Sequence, residues 1–158
     1  MRTGEGLQEG ETIGGVAIRE IRPEDSEAAA QLSGELGYPA SNGVMKRRIE
    51  DMRNLADHAV FVACMGDRVV GWIDVGIMRH LQSGAFGEIC GFVVSETCRS
   101  RGVGRILLAY AERWVLDRGI SRIVVRSRIA RDDAHRFYER EGYTKVKISA
   151  VFSKVLEG

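Results

Sequence analysis

From Val16 onward the spacing of apolar positions changes from segment to segment, and each change marks an element. Val16, Ala17, Ile18, Arg19, Glu20 and Ile21 alternate as a half-buried strand, and Pro23 suits the first turn of a helix running towards Leu36. Gly37-Tyr38-Pro39 ends that helix. Ser41 or Asn42 can cap a second helix reaching about Leu55, where Val44, Met45, Ile49, Met52 and Leu55 recur at three- and four-residue steps. Ala59 to Met65 and Arg68 to Met78 are β-rich runs on either side of the hairpin-type turn Gly66-Asp67, and Gly87 to Val94 supplies another strand after the Ser83-Gly84 loop. Consecutive strands joined in this way predict an antiparallel meander.

The second half changes character. Gly102 to Arg118 places Val103, Leu107, Tyr110 and Trp114 on one helical stripe, Gly119 stops it, and Ile120 to Ser127 forms a strand rich in Ile and Val, which together make a strand-helix-strand crossover. Asp132 or Asp133 can cap a helix through Glu141, Gly142 ends it, and Tyr143 to Leu156 returns as strand with a bend near Ser149. The order β-α-α-β-β-β-α-β-α-β predicts an α/β fold, a mixed and mostly antiparallel sheet with helices on both faces. Residues 1–15 hold five glycines and no apolar period, and read as a flexible tail.

Composition narrows the function. The chain has 158 residues, 44% hydrophobic, which is the size of one compact domain. Its 23 Lys and Arg against 22 Asp and Glu leave a net charge of +1, so no overall field draws in nucleic acid or an anionic membrane. No apolar run approaches the ~20 residues of a membrane span and no secretory stretch is visible, so a soluble, cytoplasmic protein is expected. Cys64, Cys90 and Cys98 lack a paired spacing, and His58, His80 and His135 lie far apart, so no metal is expected. A homodimer is left open.

The segment carrying the most chemistry is Cys98-Arg99-Ser100-Arg101-Gly102-Val103-Gly104-Arg105, between the strand ending at Val94 and the amphipathic helix. Its glycines let an oxyanion approach the backbone, and the first-turn amides and helix dipole favour negative charge by ~0.3–1 kcal/mol. Arg99, Arg101 and Arg105 add cations for phosphate oxygens. Two better-known phosphate loops do not fit: there is no Gly-Lys-Ser/Thr, and Leu107 stands where the dinucleotide fingerprint needs Gly or Ala. Read alone, the segment is equally an Arg-rich and Gly-rich turn into a surface helix.

Three blocks taken in order are more specific. Glu88-Ile89-Cys90-Gly91-Phe92-Val93-Val94, then Arg99-x-x-Gly102-x-Gly104 opening a long helix, then Ala134-x-x-Phe137-Tyr138-x-x-x-Gly142-Tyr143, together resemble the GNAT superfamily of acetyl-CoA-dependent N-acetyltransferases over about Val16 to Leu156. The resemblance implies one N-acetyltransferase domain over residues 16–158 with acetyl-CoA as cosubstrate. It implies a splayed central strand whose Phe92, Val93 and Val94 bind pantetheine, with Gly91 marking a bulge. It also implies a pyrophosphate held by the amides of Arg99, Ser100, Arg101, Gly102, Val103, Gly104 and Arg105, with Ala134 and Phe137 in the later cofactor block. Arg131 departs from the family pattern, standing where many members carry an Asn that contacts CoA.

Tyr138 occupies the position of the family's usual general acid, and a phenol of reference pKa ~10 can protonate a departing thiolate whose acid lies near ~8.5. The same residue read alone is a core tyrosine with a satisfied hydroxyl. Attack needs a neutral amine, and a lysine-like amine of pKa ~10.4 is less than ~0.1% deprotonated at pH 7, so a proton acceptor is required. Glu88 resembles the base position of histone-type members, and strand periodicity puts Glu88, Cys90, Phe92 and Val94 on one face; an exposed strand-end charge is the competing reading. Cys90 is expected to be a buried inert thiol, with direct transfer from acetyl-CoA to the acceptor. The acceptor is expected among Gly37-Tyr38-Pro39, Asp74 and the loop around His80. A small-molecule amine is the preferred acceptor, with protein lysines or N-termini, or an acyl-CoA sensor without turnover, as alternatives.

Overall fold

The computed structural model describes residues 12–99 and 101–158. The chain divides into two compact units, one ending at Val125 and the other beginning at Arg126.

The first unit is built on a six-stranded sheet in sequential order: β1 (Thr12–Ile13), β2 (Val16–Glu20), β3 (His58–Met65), β4 (Arg68–His80), β5 (Gly84–Val94) and β6 (Ile123–Val125). Every neighbour pairs antiparallel except β5 with β6, which are parallel because helix α3 (Val103–Leu116) crosses between them. Helices α1 (Ser26–Leu36) and α2 (Asn42–Arg53) connect β2 to β3. The mixed, mostly antiparallel architecture is the one the patterning predicts.

The two faces of the sheet bury different helices. Register places His58, Val60, Val62 and Cys64 of β3 on the same face as Trp72, Asp74 and Gly76 of β4. There Val62, Cys64, Val60 and Trp72 pack with Ala29 of α1 and Met45 and Ile49 of α2. The opposite face takes α3, whose Val103, Leu107, Leu108, Ala111 and Val115 are buried. A Cβ at Gly71 would stand 3.1 Å from Leu107 Cδ1, and one at Gly87 would stand 2.5 Å from Val115 Cγ2. Missing side chains thus let the helix lie close to the strands.

Local chemistry sets the ends. The two-residue turn Gly66-Asp67 joins Met65 to Arg68 in register, with Gly66 at φ 62°. Ser41 caps α2 by accepting from the Val44 N–H at 3.2 Å, and Gly37 closes α1 at φ 100°. Pro23 opens a short 3-10 turn (Pro23–Asp25) ahead of α1. Asp25 beneath it is buried and receives both guanidinium nitrogens of Arg19 at 2.7 and 2.8 Å, and the Arg22 N–H at 2.8 Å.

Several boundaries differ from expectation. Thr12 and Ile13, inside the expected tail, pair with Ala17 and Val16 because Gly14 and Gly15, both at positive φ, turn the chain back; residues 1–11 lie outside the described residues. The strand expected over 120–127 shrinks to Ile123–Val125, the stretch in register with Gly87–Ile89. In the second unit α4 spans Asp132–Arg140 with Arg131 at its N-cap, so neither Asp132 nor Asp133 caps it; both sit in its first turn, where their charge suits the dipole. The strand expected from Tyr143 to Leu156 is absent, and Val146, Ile148, Val151, Phe152, Val155 and Leu156 are exposed. Alternation supplies β-propensity but not the partner that a ladder needs. No helix among the described residues is long and apolar enough to cross a membrane.

Candidate active site

The site begins on β5. Asp74 pairs with Gly91 and Val75 with Ile89, so Cys90 is an extra residue and the strand bulges there, one position before the expected Gly91. The bulge changes the phase of the strand. Glu88, opposite Gly76, stays on the α1/α2 face, whereas Phe92, opposite Ile73, and Val94, opposite Gly71, turn to the α3 face. The expectation that Glu88, Cys90, Phe92 and Val94 share one face therefore fails: an inserted residue shifts the two-residue period.

The bulge coincides with a parting of strands. Parallel pairing with β6 ends at Ile89, and among the described residues no strand pairs with 90–94 on the side away from β4. A sheet edge of this kind is where an extended ligand can add as a further strand. Phe92 and Val94 are half-buried, and Val93 is buried against the sheet.

Past Val94 the chain makes a 3-10 turn (Glu96–Cys98), Arg99 is extended, and Gly102 caps α3 at φ 78°. That left-handed conformation is one that glycine adopts readily, and a Cβ there would meet nothing within 4 Å. Among the described residues no side chain caps the helix; its first turn holds no acid, and Arg99, Arg101 and Arg105 are exposed around it. The donor set of amides and guanidiniums suits a diphosphate. Ser100 lies outside the described residues.

Four polar side chains gather on the α1/α2 face. His58 Nε2 hydrogen-bonds the Asp74 carboxylate, and this hydrogen bond lifts the imidazole pKa against the opposing effect of burial. Cys90 Sγ donates to the Glu88 carbonyl at 3.6 Å. Cys90 is exposed rather than buried, yet desolvation of its thiol, with the Asp74 and Glu88 carboxylates adding to it, pushes its pKa up to about 12. It stays a thiol at neutral pH. His80, at the end of β4, is occupied edge-on against Phe86 at 5.0 Å, and Tyr38 lies exposed after α1.

Patterning missed His58 because it compared histidines only with one another along the chain. The Gly66-Asp67 turn alone would set His58 opposite Val75; the extra residue Val70 of β4, between the pairs Cys64–Val69 and Ala63–Gly71, moves it opposite Gly76, on the face of Asp74, and no local signal marks that shift.

Tyr138, Phe137 and Ala134 belong to the second unit, on α4, all half-buried. The Tyr138 ring lies 5.4 Å from Phe137 and 5.8 Å from Tyr143. Burial raises its phenol pKa while Arg131 pulls the other way, so the hydroxyl keeps its proton across the neutral range.

Known proteins are similar to this chain in sequence and in fold. The family model of the acetyltransferase (GNAT) family matches residues 27–143. The aminoglycoside N(6')-acetyltransferase type 1 of Stenotrophomonas maltophilia is 31% identical over 147 residues, covering 89% of this chain and 94% of that one. The aminoalkylphosphonate N-acetyltransferase of Salmonella typhimurium is 39% identical over 93 residues, 57% of this chain and 60% of that one. Among solved structures, AAC(6')-Iy in complex with the bisubstrate analog CoA-S-monomethyl-acetylneamine superposes with a TM-score of 0.79 at 18% identity, over 89% of this chain and 99% of that chain.

Proposed function

Since the chain belongs to the GNAT acetyltransferase family and is thereby an acyltransferase, we propose that it transfers an acetyl group from acetyl-CoA directly to a primary amine of a small molecule, within one catalytic domain over residues 16–158. The observation that carries this reading is the sequence of features along β5: an edge that loses its neighbour after Ile89, leading within a few residues to a helix start without a side-chain cap at Gly102. The relatives that act, by name, on aminoglycosides and aminoalkylphosphonates favour a small polar amine over a protein acceptor.

Acetyl-CoA supplies an activated acetyl thioester. Phe92, Val93 and Val94 hold its pantetheine arm through main-chain groups, and the amides of Val103, Gly104 and Arg105 hold the diphosphate together with the guanidiniums of Arg99 and Arg101. Glu88 receives the ammonium proton, and Asp74 on the same face helps to draw in a cationic acceptor. Tyr138 Oη holds the proton that a leaving thiolate requires. A protein of this kind turns over labelled acetyl-CoA with at least one member of a panel of aminoglycosides, aminoalkylphosphonates and polyamines. Tight CoA binding by calorimetry with no product on any amine would instead identify a sensor, and equal affinity for CoA and dephospho-CoA would show that the 3′-phosphate is not read.

A further inference from the structure

His58 on β3, Asp74 on β4 and Cys90 on β5 present an imidazole nitrogen, a carboxylate oxygen and a sulfur that all lie within 4.8 Å of one another. We propose that these three side chains bind one zinc ion on the sheet face that carries Glu88. Tetrahedral zinc with donors at roughly 2.0–2.3 Å sets those donors roughly 3.3–3.7 Å apart. The three donors, all within 4.8 Å of one another, lie near that spacing, and the ion would enter where His58 and Asp74 now share a hydrogen bond.

The backbone prepares the place. A Cβ at Gly76 would stand 2.9 Å from His58 Nδ1, so the imidazole lies over β4 at a point that only glycine leaves open. The bulge puts both Cys90 and Gly91 opposite Asp74, and a Cβ at Gly91 would stand 2.8 Å from Trp72 Cζ3. The donors thus come from three adjacent hydrogen-bonded strands, a stiffer support than loops give. Negative charge from Asp74 and Glu88 surrounds the sulfur. One sulfur, one nitrogen and one oxygen select zinc over magnesium or calcium, which prefer oxygen alone. Three protein donors leave a fourth position for water or an anion. As the bonds to nitrogen, oxygen and sulfur form, the thiol proton of Cys90 passes to solvent and His58 binds as a neutral imidazole with its N–H on Nδ1, an imidazolium releasing its Nε2 proton to solvent as it does so; nothing is oxidised or reduced.

The full chain, stripped of metal, kept reduced and free of both substrates, is titrated with Co²⁺ and then with Zn²⁺. One Co²⁺ binds per chain with a sulfur-to-cobalt charge-transfer band, and one equivalent of Zn²⁺ abolishes the band. Cys90→Ser removes the band and weakens zinc binding at least about 100-fold, the upper range of the cost of even outer-shell losses. His58→Gln weakens binding as well, and His80→Gln leaves it unchanged. Cys90 is exposed, so its serine variant folds and carries the test; as a second readout, zinc raises the Tm of the parent protein and not that of Cys90→Ser. Absence of the band, its persistence in Cys90→Ser, or an equal Tm rise in both proteins overturns the proposal.

Discussion

His58 and Asp74, sixteen residues apart in the chain, are joined side chain to side chain by a hydrogen bond across β3 and β4. The carboxylate stabilises the imidazolium and lifts the His58 pKa above 6.5, against burial. For a group whose folded pKa is raised, the stabilisation is complete below the unfolded value of about 6.5 and is lost as pH rises through the folded value. An NMR titration finds His58 above 6.5 in the parent protein. In Asp74→Asn only burial remains, and the value drops below 6.5; an unchanged titration would rule out the coupling.

Tyr138→Phe tests the proton donor. Burial raises the phenol pKa, so the hydroxyl stays protonated and turnover does not follow its titration between pH 6 and 9. Loss of a general acid costs roughly 100-fold or more in kcat. The Kd for CoA, measured by calorimetry, changes little. A kcat within a factor of a few of the parent's would remove Tyr138 from the mechanism.

Two glycines separate backbone conformation from packing. Gly102 has open space around its missing Cβ but a φ of 78°, so Gly102→Ala costs about 1–2 kcal/mol of conformational strain and disturbs the start of α3, where CoA affinity should fall with it. Gly87 has an ordinary backbone, but an added Cβ would come within 2.5 Å of Val115 Cγ2. Gly87→Ala therefore costs about 1–3 kcal/mol by pushing α3 off the sheet. Denaturant melts give the stability terms, and calorimetry with CoA shows whether the two variants separate as stated.

Acid sensitivity should concentrate at Asp25. Burial alone would raise its pKa, but the paired guanidinium of Arg19 and the Arg22 N–H outweigh burial and hold the carboxyl below 3.8. A depressed carboxyl stabilises the fold above its unfolded pKa, and that contribution fades as pH falls through the folded value. Asp25→Asn leaves Arg19 without its partner and costs about 2–3 kcal/mol at pH 7. The difference between parent and variant narrows towards pH 3, which urea melts across that range can follow.

Much of the first unit was legible from patterning because its signals are local. The stripe Val103, Leu107, Tyr110 and Trp114 is buried as predicted, and Gly66-Asp67 turns where it should. The start of α3 was readable too, since glycine at position 102 and the amphipathic run after it each leave a mark in composition. What escaped depends on pairing. Alternation over Glu88 to Val94 cannot reveal that Cys90 is supernumerary, because the bulge exists only relative to β4. The apolar positions from Val146 to Leu156 carry a strand's composition without a strand's partner. The approach of His58 to Asp74 likewise depends on a register shift, the extra residue Val70 of β4, that no motif marks.

The irregularity at Cys90 makes one strand serve two masters. Upstream of it, odd and even positions look one way; downstream they are exchanged, so carboxylate and thiol address one compartment while the aromatic and valine side chains beyond address another. Deleting that single residue would take the thiol away and let β5 pair with β4 without interruption, yet Phe92 would stay opposite Ile73 and Val94 opposite Gly71, so the face each side chain takes is set by its partner on β4 and not by its count along the chain.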